Sequence, residues 1–420
     1  MGLLLIVSCA AKARDRARAS IEMETFDYAW RYVKDSVPEG QVDPVAWQKV
    51  YDELLPRAKA ADSPDELRPV LSDMLRSLGQ SHYTVLSGGV NDALAEVLAQ
   101  SPQAHNAGGG DPGVDIRLLD HRAVVTHVYE QSPLQLGDAI VSIEGKAVAP
   151  WIARLEDGVD DAWLAGAYTR YVVVQAMAAP PGEHVSVVVE RGADTRTLDV
   201  TTTPAELVQG PGLAGPEPLH TEARMLSPRV GYLLFDHFLV PVMDRFASAL
   251  AELRTSGAAS LVIDVRGNPG GLVLMVRGIG GYLVGDPDKS LGRMTTQAGT
   301  LELTANPPPP AQVFQGKVAV LVDELSASTA EVFAAGLQAI GRARVFGQPS
   351  AGRALPSTFI SLPNGDILQV ATGRLADPNG RAIEGEGVAP DVVVPLDRTA
   401  LATGRDPVIE AALRWIESGP

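Results

Sequence analysis

The chain has 420 residues, of which 45% are hydrophobic and 20% charged, and its formal net charge at pH 7 is −16. This length exceeds that of one small domain and suggests two or three domains. The proportions of hydrophobic and charged residues are those of a soluble globular protein. The negative charge, without any run of Lys or Arg, excludes nucleic-acid binding as a main function. No stretch of about 20 apolar residues predicts a transmembrane span.

The first 20 residues differ in composition from the rest. Ile6-Val7-Ser8-Cys9 is similar to a bacterial lipobox, in which the cysteine is acylated after the signal is removed. The usual positively charged start is missing and the apolar run is short, so either the true start lies upstream or the match is accidental. We favour an exported envelope protein, periplasmic or anchored to the membrane through a lipidated Cys9, with residues 10–20 as its tether. A single cysteine excludes an internal disulfide.

Residues 21–105 are predicted to form an N-terminal helical domain. Apolar residues recur at helical spacing, for example at Leu67, Val70, Leu71 and Met74, and Asp62 or Ser63 before Pro64 is typical of a helix start. The helices are followed by Leu78 to Thr84, LGQSHYT, which places Ser81 beside His82.

A Gly-rich linker near residues 106–112 precedes a second region, 110–203, where short runs alternate apolar and polar residues. That alternation predicts the strands of a small β-domain. A segment rich in Pro and Gly, 204–218, then leads to a third region. Strands near 231, 261 and 318 alternate there with helices near 243, 272 and 330, which predicts an α/β core, and 406–417 predicts a closing helix.

Two strand ends in this predicted core are followed by turns that contain candidate catalytic groups. Leu261 to Leu272, LVIDVRGNPGGL, is a buried strand followed by a Gly-rich turn, whose backbone N–H groups can approach a ligand closely. Val318 to Glu331, VAVLVDELSASTAE, is a buried strand that leads through a Ser-rich turn into a helix. A hydroxyl there lies beside the free N–H groups of the helix, which suit an oxyanion. The alternative is that Ser326 or Ser328 only caps the helix.

Together and in this order, LGQSH, DVRGNPGG, the segment LVDELSASTAEVFAAGLQAIGRARVFG and the tail IEGEGVAPDVVVP resemble the C-terminal processing (tail-specific) peptidase family. The resemblance covers roughly residues 22–398. It implies a multidomain α/β fold: a crotonase-like spiral of ββα units as peptidase core (219–398, with a C-terminal helix to 420), a PDZ-like middle domain and the N-terminal helical domain. PDZ-type domains bind peptide ends by adding a strand to a sheet edge.

The chain departs from the best-known members of that family at one position. Those members use a serine–lysine dyad, whereas the corresponding turn here is Ala351-Gly352-Arg353-Ala354-Leu355. Arginine cannot act as the base, because its guanidinium stays protonated at any working pH. The chain instead resembles the tricorn-like branch, which is related to the interphotoreceptor retinoid-binding protein fold and uses a Ser-His pair supported by a second serine and a glutamate.

The resemblance to that branch assigns roles to particular residues. Ser328 matches the nucleophile, His82 the general base, and Ser81 the serine that orients the base. Glu384 matches the supporting acid, with Glu386 as an alternative two residues on. If His82 were not the base, His237 would be the next candidate.

The resemblance also implies an oxyanion hole made by the N–H of Thr329 with that of Gly270 or Gly271.

The histidines show no metal-ligand spacing such as H-E-x-x-H, so we predict no metal and no cofactor. We therefore predict a serine endopeptidase whose partner is a protein or peptide substrate. The alternatives are a catalytically inactive protein that binds peptides or lipophiles on the same fold, and an acyl-CoA-handling crotonase relative.

Overall fold

The computed structural model describes residues 21–37, 42–86, 92–101, 110–129, 132–159, 162–209 and 216–418. Cys9 and the predicted tether at 10–20 lie outside these residues, as does most of the Gly-rich linker. The chain divides into two compact units: residues 1–92, 294–301 and 355–375 form the first, and 93–293, 302–354 and 376–420 form the second. No helix in the described residues has both the length and the apolar character needed to cross a membrane.

The first unit contains the predicted helices. They are α1 (residues 21–36), α2 (Pro44–Ala60) and α3 (Pro64–Arg76), followed by strand β1 (Thr84–Leu86). β1 pairs antiparallel with β20 (Ile367–Ala371), which pairs antiparallel with β19 (Ser357–Ser361). Ser63 caps α3 by accepting the Glu66 N–H, as one of the two predicted starts requires. The buried apolar residues of α1 to α3, among them Phe26, Leu67 and Met74, form one core with Leu368 and Val370.

The centre of the second unit is a six-stranded sheet in the order β12–β13–β14–β17–β18–β22. Its strands are β12 (Thr221–Ser227), β13 (Val230–Phe235), β14 (Ser260–Asp264), β17 (Lys317–Val322), β18 (Arg344–Gly347) and β22 (Val392–Val393). β12 is antiparallel to β13, and every other pair is parallel. The predicted strands at 231, 261 and 318 are therefore confirmed.

Helices follow most of these strands, as the alternating pattern predicts. They are α7 (Val240–Thr255), α8 (Met275–Gly281), α9 (Thr329–Ala339), α10 (Arg398–Leu401) and α11 (Pro407–Glu417), and a 3₁₀ turn spans Pro310–Gln312. Val262, Leu321 and Phe346 from the sheet pack with Val408 and Ala412 of α11. Because parallel strands end at the same edge, the loops after β13, β14, β17 and β18 all lie at the carboxyl edge of the sheet, where α/β proteins place their ligands.

The strands predicted between residues 110 and 203 include those of a second sheet in this unit. Its order is β3–β4–β5–β7–β8, with β6 paired to β5, and its neighbouring strands are antiparallel. The strands are β3 (Val114–Leu119), β4 (Arg122–Val128), β5 (Ala139–Ile143), β6 (Lys146–Ala147), β7 (His184–Arg191) and β8 (Asp194–Thr201). Between β6 and β7 lie α5 (Ala149–Gly158) and α6 (Ala162–Met177).

The remaining elements are short. They are α4 (Asp92–Gln100), β2 (Gly110–Asp111), β9 (Thr203–Pro204), β10 (Leu207–Gln209), β11 (Pro216–Pro218), β15 (Ser290–Thr296), β16 (Gly299–Thr304) and β21 (Gly373–Ala376). The chain passes from one unit to the other within α4, β15, β16 and β21, and also between residues 354 and 355.

Candidate active site

Ser328 lies at the N-cap position of α9, six residues after β17 ends, in an unusual backbone conformation. Its φ is 55° and its ψ is −118°, a region that a residue with a side chain rarely adopts. Such strain persists only where the surroundings enforce it, and it occurs often at catalytic residues. The Ser328 N–H donates to the carbonyl oxygen of Arg353 at 2.9 Å and to Oε2 of Glu331 at 3.0 Å, which fixes this turn. The side chain of Ser328 is half-buried and so retains access to solvent.

The other serine of the turn has a structural role. Ser326 is fully buried, its hydroxyl donates to the Val265 carbonyl at 2.7 Å, and it accepts from the Asp323 N–H at 3.0 Å. Asp323 in turn accepts the Gly267 N–H at 2.7 Å. These bonds join the turn after β17 to the loop after β14, and they leave Ser328 as the serine available for chemistry.

The Gly-rich loop after β14 lies directly against Ser328. A Cβ added to Gly270, whose φ is +97°, would lie 2.7 Å from Ser328 Cβ and 2.8 Å from the Thr329 nitrogen. The Thr329 hydroxyl donates to the Gly271 carbonyl at 2.9 Å. The structure therefore brings the four predicted residues Ser328, Thr329, Gly270 and Gly271 together.

The two glycines differ in their N–H groups. The Gly270 N–H donates to Oδ1 of Asn268 at 2.9 Å and is thus already engaged. The Gly270 carbonyl accepts the Phe238 N–H at 2.8 Å. Since a trans peptide holds its N–H opposite its C=O, the Gly271 N–H points away from Phe238. Among the described residues, neither this N–H nor that of Thr329 donates a hydrogen bond, so both are available to an oxyanion.

Glu384 is half-buried in the loop before β22, and its Oε2 accepts the Ala354 N–H at 2.8 Å. The alternative acid, Glu386, is exposed and lies 3.9 Å from the guanidinium of Arg381. Arg353, at the position of the dyad lysine, extends its guanidinium over the ring of Trp163 in α6, 4.7 Å from the ring centre.

Ser81 and His82 belong to the first unit, where they form a pair of their own. The Ser81 hydroxyl lies 2.6 Å from Nδ1 of His82, and His82 has a positive φ of 60°. A hydrogen bond at Nδ1 orients the imidazole ring and selects which nitrogen carries the proton. The pairing of His82 with Ser328 stays a prediction.

His237 does not suit the role of a base. It is fully buried, with one ring nitrogen 3.1 Å from Asp236 and the other 3.0 Å from Glu217. Burial lowers the pKa of His237, but the two carboxylates outweigh this and raise it to about 10, which keeps the ring protonated near neutral pH. Both nitrogens are then donors and neither can accept a proton.

The structure also contains charged groups that the sequence interpretation missed. Arg117 of β3 is buried between Asp115 and Asp323, at 2.6 and 2.7 Å, and this links the antiparallel sheet of β3 to the turn that precedes Ser328. Glu331 is fully buried, and burial raises its pKa to about 7. The spacing Ser328-x-x-Glu331, typical of a capping box, was the one signal that pointed to Glu331. Within the described residues, no group of three or more His, Cys, Asp or Glu side chains is arranged to hold a metal ion.

The chain is similar to known peptidases. A profile of peptidase family S41 matches residues 229–394, and one of the tricorn protease C1 domain matches residues 22–76. The carboxy-terminal processing protease CtpB of Bacillus subtilis is 24% identical over 67% of this chain and 54% of its own length. The carboxyl-terminal-processing protease of Picosynechococcus sp. is 25% identical over 94% of this chain and 88% of its own length.

Solved structures share the fold. The photosystem II D1 C-terminal processing protease matches 94% of this chain and 97% of its own, with a TM-score of 0.55 and 22% identity. The chain spans only about half the length of the first curated relatives it matches, 54% and 52%.

Proposed function

Because a profile of peptidase family S41 matches residues 229–394, we propose that this chain is a serine peptidase of that family, which hydrolyses proteins or peptides through an acyl-enzyme on Ser328. The observation that carries this proposal is the strained turn at Ser328. It presents a half-buried hydroxyl at the start of α9, beside the N–H groups of Thr329 and Gly271, which donate no hydrogen bond within the part of the chain that the structure describes. That combination is the arrangement that acyl transfer requires.

The reaction follows from these groups. In its neutral form, His82 takes the proton of the Ser328 hydroxyl as the oxygen attacks the substrate carbonyl. The N–H groups of Thr329 and Gly271 stabilise the resulting oxyanion, an effect typically worth about 3 kcal/mol for each donor. His82 then gives its proton to the leaving amine, and water hydrolyses the acyl-enzyme by the same route.

The supporting residues hold the base. We assign the ring proton of His82 to Nδ1, which donates to the Ser81 hydroxyl oxygen, so that Nε2 carries the lone pair that accepts the Ser328 proton. Glu384 supplies the carboxylate that stabilises the imidazolium, and Arg353 takes no part in proton transfer because it remains a cation. Loss of the dyad lysine would by itself favour a non-catalytic binding protein, but the Ser328, His82, Ser81 and Glu384 set favours the enzyme.

Finer features of the fold belong to this proposal. The antiparallel sheet β3 to β8, which falls within the predicted domain 110–203, is proposed to be PDZ-like and to bind extended peptide ends. The parallel sheet with its helices is proposed to be a crotonase-like core over 219–398, and residues 21–105 the helical domain. We place the protein in the bacterial cell envelope, either in the periplasm or anchored through an acylated Cys9. Mass spectrometry of the N-terminal peptide from membrane fractions would test the anchor.

Peptide hydrolysis provides the test of the proposed activity. Purified protein is incubated with an unstructured protein substrate in ¹⁸O-labelled water, and new peptide termini are identified by mass spectrometry. The account predicts cleavage with ¹⁸O in each new carboxylate, lost in Ser328→Ala and in His82→Ala. Cleavage that persists in Ser328→Ala, or no cleavage by well-folded wild type, would overturn it and favour the binding-protein alternative.

A further inference from the structure

Glu331 is a buried carboxylate that neutral donors surround. Its Oε1 accepts from the Ser350 hydroxyl at 2.5 Å and from the Gly352 N–H at 2.7 Å. Its Oε2 accepts from the N–H groups of Ser328 and Arg353, both at 3.0 Å. The side chain is 0% exposed, and within the described residues it forms no ion pair. Four donors converge on it from two segments of the chain.

One of those segments is the turn that contains the candidate nucleophile. Ser328 has the strained backbone described above, and its N–H is shared between Glu331 and the Arg353 carbonyl. A backbone in a sparsely populated conformation persists only where its surroundings over-determine it. The bond to Glu331 is one of the two that hold this peptide group in place.

The other segment is the loop after β18, which in turn holds the loop of the candidate acid. The Gly385 N–H donates to the Gly352 carbonyl at 2.8 Å, and the Val388 N–H donates to the Ser350 hydroxyl at 2.7 Å. Glu384 itself accepts the Ala354 N–H at 2.8 Å. Glu331 thus joins the Ser328 turn to the loop that fixes Glu384, beside two direct backbone bonds, from the Ser328 N–H to the Arg353 carbonyl and from the Ala351 N–H to the Ser326 carbonyl.

We propose that Glu331 is a positioning residue, whose ionised carboxylate sets the conformation of Ser328 and its register with the loop that holds Glu384. This inference rests on the proposed function and deepens it. Only an ionised carboxylate accepts at all four sites, since a neutral amide would direct its own N–H groups at two of the donors. Burial raises the pKa of Glu331 to about 7, because removal from water destabilises the charged carboxylate, whereas the four hydrogen bonds favour the charged form.

The test is the rate at which a fluorophosphonate labels Ser328 at pH 8. Glu331→Gln keeps the shape and removes the acceptor, whereas Glu331→Asp keeps the charge on a shorter side chain. Asp138→Asn is the matched control, because Asp138 is equally buried and its carboxylate accepts from Arg191 and the Gln135 N–H in the β-domain. Thermal unfolding of each variant is followed in parallel, and labelling is measured well below every melting temperature.

We expect Glu331→Gln to lower the maximal labelling rate at least tenfold with little change in the probe concentration for half-saturation. Glu331→Asp should recover part of that rate, and Asp138→Asn should lose stability and keep the rate. If the role of Glu331 is only structural, Glu331→Gln will lower the melting temperature and leave the labelling rate of the folded protein unchanged. That result would overturn the inference. If Glu331→Gln does not fold, a wild-type rate in Glu331→Asp overturns it equally. Absence of labelling in wild type would instead refute the proposed function on which the inference rests.

Discussion

Gly270 offers the most direct structural perturbation of the candidate site. In Gly270→Ala the new Cβ would lie 2.7 Å from Ser328 Cβ, 2.8 Å from the Thr329 nitrogen and 2.9 Å from the Ala327 oxygen. Cβ atoms essentially never approach other heavy atoms this closely, and two of these three contacts are to backbone that cannot rotate away. The φ of +97° is itself unfavourable for alanine.

The cost can be estimated from these two effects. A left-handed conformation costs an alanine about 1–2 kcal/mol, and overpacking in a rigid site costs about 1–3 kcal/mol, so we expect destabilisation of roughly 2–5 kcal/mol. Relief of the clash must also displace the Ser328 turn. Since misplacement of a reacting group by about 1 Å can cost 10²-fold in rate, we expect fluorophosphonate labelling of Ser328 to fall at least tenfold.

Gly380→Ala is the matched control, because Gly380 has a similar φ of +86° and an added Cβ would contact nothing within 4 Å. It carries the strain without the clash, so it should lose about 1–2 kcal/mol in urea unfolding and keep the labelling rate. Equal losses of stability in the two variants, together with wild-type labelling of Gly270→Ala, would refute the account of how this loop contacts the nucleophile.

Three further predictions concern charged groups. Burial lowers the pKa values of His220 and His237, but neighbouring carboxylates raise them to about 9 and about 10. Because these folded-state values exceed the unfolded value near 6.5, this stabilisation is complete below pH 6.5 and is lost as the pH rises to 10. Urea titrations should therefore show a loss of a few kcal/mol across that window, and a stability that is flat with pH would contradict it. Arg117→Met should cost about 3–5 kcal/mol in urea unfolding, since it leaves Asp115 and Asp323 buried without their cation; a loss below 1 kcal/mol would contradict that. Arg353→Ala should retain labelling of Ser328 within about tenfold of wild type, because its guanidinium is no base; complete loss would contradict the Ser-His assignment.

The main elements of the core were predictable from the sequence because their signals are local. Apolar runs such as Leu261 to Val265 and Val318 to Val322 are too short for helices and end in Gly-rich or Ser-rich turns, and both are central strands. Asp264 and Asp323, which lie at the ends of these strands, accept turn N–H groups, a common role of aspartate at such positions. Helix starts could also be predicted where a capping side chain precedes proline, as at Ser63 and Asp406.

Contacts between segments that are distant in the sequence could not be predicted from it. Nothing near Arg117 indicates that Asp323, 206 residues away, is its partner. The choice between Gly270 and Gly271 as the oxyanion donor depends on the side chain of Asn268. Its Oδ1 accepts the Gly270 N–H and leaves the Gly271 N–H for the oxyanion. His237 appeared to be an alternative base because it follows a strand, but its environment, with a carboxylate at each nitrogen, emerges only when β11 brings Glu217 beside it.

The central claim is that Ser328 is a nucleophile activated by His82, and fluorophosphonate labelling mapped by mass spectrometry tests it most directly. Wild type is compared with Ser328→Ala, His82→Ala and Arg353→Ala, each first shown to be folded by its thermal transition. The account predicts an adduct on Ser328 in wild type that is lost without His82 and survives the change at Arg353. No adduct in folded wild type, or an adduct on Ser328 that forms equally fast in His82→Ala, would contradict it.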